Sequence, residues 1–229
     1  MFTLARSRAG LASKWDVAFC VGWVMQQPTS RQLYAYWDRV RNGRIAPRRF
    51  EIEPGQIASV LPETFIAEHV GLPGCRFRLV GTKICAQFGK ELRGSDLLSL
   101  FGTEDRDSLA TLLRSVYCDA AMGEVQFDAY TEAHRHVKFE MILLPLIHTG
   151  NTVNRILGSM SAFDPPFWLG TTPLRHCEIA KLELHWPSAD QDEDQHPPAP
   201  KPMIDKPLTA TDLVRSVRHR FRVYQGGLD

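Results

Sequence analysis

At 229 residues, 44% hydrophobic and 23% charged, the chain has the size and composition of one ordinary globular domain with extensions. A formal net charge of +1 gives no global electrostatic pull towards nucleic acid or a membrane surface. The five cysteines are scattered and form no CxxC pair, which argues for buried thiols in a reducing compartment and against a disulfide framework or a zinc site. No apolar stretch is long enough to span a bilayer, and the expected location is cytoplasmic.

Residues 1–24 show neither a clear period nor caps and read as a loosely ordered leader. The polar lead-in QQPTS then precedes a helix over 31–41, on which Leu33, Tyr34, Trp37 and Val40 share one face before Gly43 ends it. The arginines Arg39, Arg41, Arg44, Arg48 and Arg49 read as a solvated face, with an anionic partner as the alternative. Pro54 opens a short helix to Leu61, residues 64–70 form a first strand, and the turn 71–74 makes a hairpin with the next.

The central stretch is 77–94, FRLVGTKICAQFGKELRG. Cys75, Phe77 and Leu79 alternate with Arg76 and Arg78, the period of a half-buried strand. Gly81 breaks the strand, and Thr82 is placed to cap a short helix carrying Ile84, Cys85 and Phe88 on one face. Gly89 and Gly94 then allow two tight turns, so the segment folds into an apolar cup, either plain core or ligand pocket. Thr103 caps the clearest helix, with the stripe Leu109, Leu112, Leu113, Val116, Tyr117 and Ala120, and Gly123 closes it.

Three strands follow, the first marked by Val125 and Phe127 and the second by Val137, Phe139 and Met141. From 141 to 147 the alternation stops, so Ile142, Leu144 and Leu146 lie on the face away from the core and need a cover. The helix of Leu33, Tyr34, Trp37 and Val40 is expected to supply it, from the same chain or from a partner in a symmetric dimer. The last strand of the three covers about 155–163. Residues 165–170, PPFWLG, are expected to lid one end of the core, and 177–186 reads equally as strand or helix. Residues 187–202 hold five prolines and an acidic run and read as a linker; 203–229 form a basic tail. The predicted domain is therefore 25–186, an α+β fold with a five-stranded antiparallel sheet, helices on one face and a further N-terminal helix.

Three blocks in this order, LYAYWDRVRNGR (33–44), FRLVGTKICAQFGKELRG (77–94) and PPFWLG (165–170), resemble a bacterial PAS-domain family once listed as a domain of unknown function. The resemblance covers roughly 26–186. It implies a sensory or signalling module with a pocket between sheet and helices, commonly dimeric, working through a signalling partner, and it names no ligand. It does not point to flavin, because Lys83-Ile-Cys-Ala-Gln87 departs from the photosensor cysteine motif. Nor does it point to haem, because 104–122 holds no histidine.

If a pocket exists, the periodicities line it with Phe77 and Leu79 from the strand, Ile84 and Phe88 from the short helix, and Leu113 and Tyr117 from the long one. The sheet adds Phe127, Phe139 and Met141. His134 and His136 have ligand-like spacing but no third ligand nearby, so they read as surface histidines and no metal is expected. Cys118 reads as a buried or half-buried thiol. Glu68, His69 and Glu140 form an acid–base set on paper only, on strand positions of a kind that usually faces solvent. With no nucleophile, phosphate-loop or zinc-protease motif, no enzymatic activity is expected. The tail cations Lys206, Arg215, Arg218, Arg220 and Arg222 are a weak nucleic-acid signal and do not carry that reading.

Overall fold

The computed structural model describes residues 25–71 and 74–186; the leader, the linker and the tail lie outside the described residues, as does Cys20. The elements in order are α1 (Pro28–Arg41), β1 (Thr64–His69), β2 (Cys75–Val80), α2 (Thr82–Phe88), α3 (Thr103–Cys118), β3 (Met122–Thr131), β4 (His136–Ile147), β5 (Val153–Ala162) and β6 (Leu174–His185), with short 3-10 turns between them. All pairings are antiparallel, in the order β2-β1-β5-β4-β3-β6.

The architecture is α+β as expected, but the sheet has six strands rather than five. The segment left ambiguous over 177–186 lies within β6, which pairs along the whole of β3 from Met122↔His185 to Thr131↔Leu174. Two bulges and a scatter of charges on β6 hide its alternation in the sequence.

Helix boundaries also shift for local reasons. α1 starts at Pro28, where the missing N–H of proline costs nothing in the first turn. The expected caps Thr82 and Thr103 are first-turn residues, preceded by Gly81 and Gly102 in extended conformation. α3 ends at Cys118, Ala120 turns left-handed at φ 51°, and Gly123 belongs to β3.

The sheet has two covered faces. On the inner face α2, α3 and the turn Leu97–Leu100 bury one cluster of strand residues. On the outer face α1 and the connection from Ala46 to Val60 bury a second. Gly158 on β5 lets the inner cluster close, since a Cβ there would sit 2.3 Å from the ring of Phe65 and 2.6 Å from the Ile142 carbonyl oxygen. Among the described residues no helix is long and apolar enough to cross a membrane.

Candidate functional site

Eight of the nine side chains expected to line a pocket come together on the inner face: Phe77, Ile84, Phe88, Leu113, Tyr117, Phe127, Phe139 and Met141 are all buried in one cluster. They pack as interlocking rings. Phe127 stacks on Phe139 at 5.2 Å between centroids, Phe101 meets Phe127 edge-on at 5.4 Å, and Phe65 meets Phe77 edge-on at 5.3 Å.

Leu79 is a correction. It is 50% exposed, because Ile66 pairs with Leu79 while the next residue, Ala67, pairs with Phe77, leaving Arg78 as an extra residue. This bulge shifts the phase of the strand, and Leu79 joins the outer-face residues Ile57, Ile66 and Leu157 around a shallow apolar cavity of about 150 Å³. Two larger hollows, of about 400 and 330 Å³, lie beside Ile147 and beside Trp168, and none of the three is lined by the eight inner-face residues.

Two polar points on the inner face bear on the candidate site. Cys75 and Tyr117 meet there, with the Tyr117 hydroxyl donating to the Cys75 sulfur at 3.3 Å and the His69 ring 4.6 Å from that of Tyr117. Burial pushes the Cys75 thiol up to about 12, opposing the smaller lowering effect of the Tyr117 hydrogen bond, and burial raises Tyr117 and Cys177 as well. These are structural, protonated groups without nucleophilic character at neutral pH. Gln87 on α2 is the second point: it is 2% exposed, and neither atom of its side-chain amide has a hydrogen-bond partner among the described residues.

The outer face receives the other predicted set. Leu33 and Trp37 of α1 are buried with Ile142, Leu144 and Leu146 of β4, and Tyr34 and Val40 pack half-buried at the margin. The cover comes from the same chain. Three directional contacts fasten it. The Trp37 indole N–H donates to the Pro145 carbonyl at 2.9 Å. Proline is tolerated in this interior strand because β3 pairs with β4 only as far as Leu143, so no ladder bond is lost there.

The Glu140 carboxylate, fully buried, accepts from the backbone N–H groups of Gln26 at 2.7 Å and Gln27 at 3.0 Å. It thereby caps an α1 whose own N-cap residue, Gln27, makes no side-chain cap. Finally, the Glu63 carboxylate accepts from Thr29 of α1, from Lys83 of α2 and from Ser161 of β5. Burial raises the Glu63 pKa, but the hydrogen bonds from Lys83, Thr29 and Ser161 outweigh it and hold the carboxyl below its ordinary value.

The acid–base set does not assemble. Glu68 is held by Arg78 at 2.9 Å and by Arg155, Glu140 caps α1 on the outer face, and His69 packs on the inner face against Tyr117. Glu140 also corrects the expectation of a solvent-facing strand position, since the lead-in to α1 covers it. Cys118, expected to be at least half-buried, is exposed at the end of α3. His134 is exposed in a left-handed turn, and the exposed His136 lies 5.5 Å from Tyr130, ring to ring. The expected lid is half a lid: Trp168 packs on the core under the Arg135 guanidinium at 5.3 Å, while Phe167 is 96% exposed.

Sequence reasoning missed Gln87, Glu63 and the role of Glu140; Gln87 has a local signal, a polar residue within the apolar run 84–88, whereas the partners of Glu63 and Glu140 are distant in the chain. A family model described as a PAS domain matches residues 25–161, more than half of the chain. No curated protein matches it.

Proposed function

The chain belongs to the PAS-domain family, and from that premise we propose that it is a signalling module that acts by contact, with a packed core and a displaceable N-terminal helix. The observation that carries this reading is the mutual burial of the eight inner-face residues, which pack against one another in one cluster. The part free to change state is then α1, whose departure would expose Ile142, Leu144, Leu146 and Leu157 to a partner or to a second copy. A dimer sharing this patch requires α1 to leave its own sheet. The reading places the protein in the cytoplasm and assigns it no catalytic step. Sedimentation velocity of the full chain against a chain lacking residues 1–41 tests it: the truncated chain is expected to self-associate or to bind partners that the full chain ignores, and a truncated chain that stays monomeric and inert removes the reading.

One observation favours the ligand-binding alternative. A buried amide with neither atom bonded is costly, on the order of 1–3 kcal/mol, and a small polar molecule in the core would satisfy it. Gln87→Leu separates the two. In the packed-core reading the variant is as stable as the wild type or more so; in the ligand reading, native mass spectrometry with an absorbance spectrum finds a bound molecule that the variant loses.

A further inference from the structure

Where β3 pairs with β6 on the outer face, three side chains with metal-ligand chemistry converge. Glu124 and Glu183 are directly opposite one another in the ladder, and His185 stands two residues beyond Glu183 on the same face of β6. They are 2%, 7% and 8% exposed. One carboxylate oxygen from each glutamate and one imidazole nitrogen lie within 4.8 Å of one another. We propose that Glu124, Glu183 and His185 bind a divalent transition-metal cation.

The physical case starts from charge. Like carboxylates directly opposed across a ladder repel, and burial strengthens the repulsion unless a cation lies between them. Lys181 brings its ammonium to 2.8 Å from Glu183. A divalent ion would bring two positive charges to the two carboxylates, where the Lys181 ammonium brings one, and would take the imidazole nitrogen as a third ligand. The donor set chooses the ion: two hard oxygens with one imidazole suit zinc or manganese, whereas calcium and magnesium prefer oxygen alone and no thiolate is present for softer ions. First-row ions hold these donors at about 2.0–2.2 Å, so opposed ligands stand at most about 4.4 Å apart. Donor atoms that already lie within 4.8 Å of one another reach that span by side-chain rotation. A cation there would fasten the end of β6 to β3 just before Trp186.

The test is equilibrium dialysis of the chelator-treated full chain against Zn²⁺ and Mn²⁺, with far-UV circular dichroism on every variant. Binding of one ion per chain is expected. Glu183→Gln and His185→Gln should each weaken it at least tenfold while the fold is retained. Lys181→Met should tighten it, because the competing ammonium is gone. Should either weakening variant fail to fold, Mn²⁺ broadening of wild-type amide signals still decides: residues 122–126 and 181–185 should fade first. A wild type that binds neither ion overturns the proposal. So does affinity unchanged in both weakening variants, or broadening centred on His134 and His136.

Discussion

The two faces of the sheet are covered in different ways. The inner face is closed by α2, α3 and the turn between them, all inserted between β2 and β3 in the chain, and its interior is almost wholly apolar. The outer face is closed by α1, whose lead-in residue Gln26 lies 114 residues from the carboxylate that accepts its N–H. That face also buries Glu124, Glu140, Ser159, Ser161, Glu183 and His185. Area burial is non-directional and suits a core that must simply stay closed. Hydrogen bonds to buried carboxylates are directional and are lost as a set when geometry slips, which suits a cover with two positions. In the proposed reading the inner face is the scaffold and the outer face the part that changes.

The sharpest way to break this comparison is Leu144→Glu. Leu144 is fully buried beneath α1, and the variant loses about 1.5–3 kcal/mol of apolar burial and places an unpaired carboxylate there at several kcal/mol more. The sum approaches the whole stability of a domain, ~5–15 kcal/mol. Urea denaturation should find it largely unfolded, or folded with α1 released. A stable variant of unchanged helix content would mean that α1 does not cover this face.

Phe139→Ala tests the scaffold. It removes a ring stacked on Phe127 and should cost ~3–5 kcal/mol through the cavity left behind. A loss below ~1 kcal/mol would mean that the inner cluster is loose or already holds a void, and would shift the balance to the ligand-binding reading.

Glu140→Gln separates the faces. One amide oxygen replaces two carboxylate oxygens against two backbone donors, at a cost of about 1.5–3 kcal/mol. Hydrogen exchange should quicken in α1 while α3 keeps its protection. Equal loss in both helices would mean that the two faces form one cooperative unit.

The inner face was legible in the sequence because its helices and strands carry their own period: Leu109, Leu112, Leu113 and Val116 announce α3 without reference to anything distant. The apolar outer face of β4 was legible for the same reason, and so was the need for a cover. What was hidden depends on pairing. The bulge at Arg78 that turns Leu79 outward exists only in the register of β2 against β1. Glu140 reads as a surface residue until α1 arrives over it, and Glu183 with His185 means nothing until β6 is known to lie beside Glu124. Long-range pairing leaves no local period to read.

Glu63 gives the smallest effect and the finest test, because it joins α1, α2 and β5 through one carboxylate. Its pKa in the folded state is below the ordinary 4.5, since the hydrogen bonds outweigh burial. A depressed carboxyl pKa stabilises the fold above the unfolded value, and that contribution fades as pH falls through the folded one. As pH falls from 7 to a value below the lowered folded pKa, wild type should therefore lose the part of its stability that Glu63 supplies. Glu63→Gln keeps an acceptor for Thr29 or Ser161 but loses the charge facing Lys83, so a cost of about 1 kcal/mol is expected at pH 7. At low pH the wild-type carboxyl is protonated and equally neutral, so the two proteins should converge. Urea midpoints at the two pH values measure this directly. A gap that persists undiminished as pH falls through the acid range, with both proteins still folded, would assign the cost of the variant to shape, and would leave the α1 junction without the electrostatic tie that the proposed reading gives it.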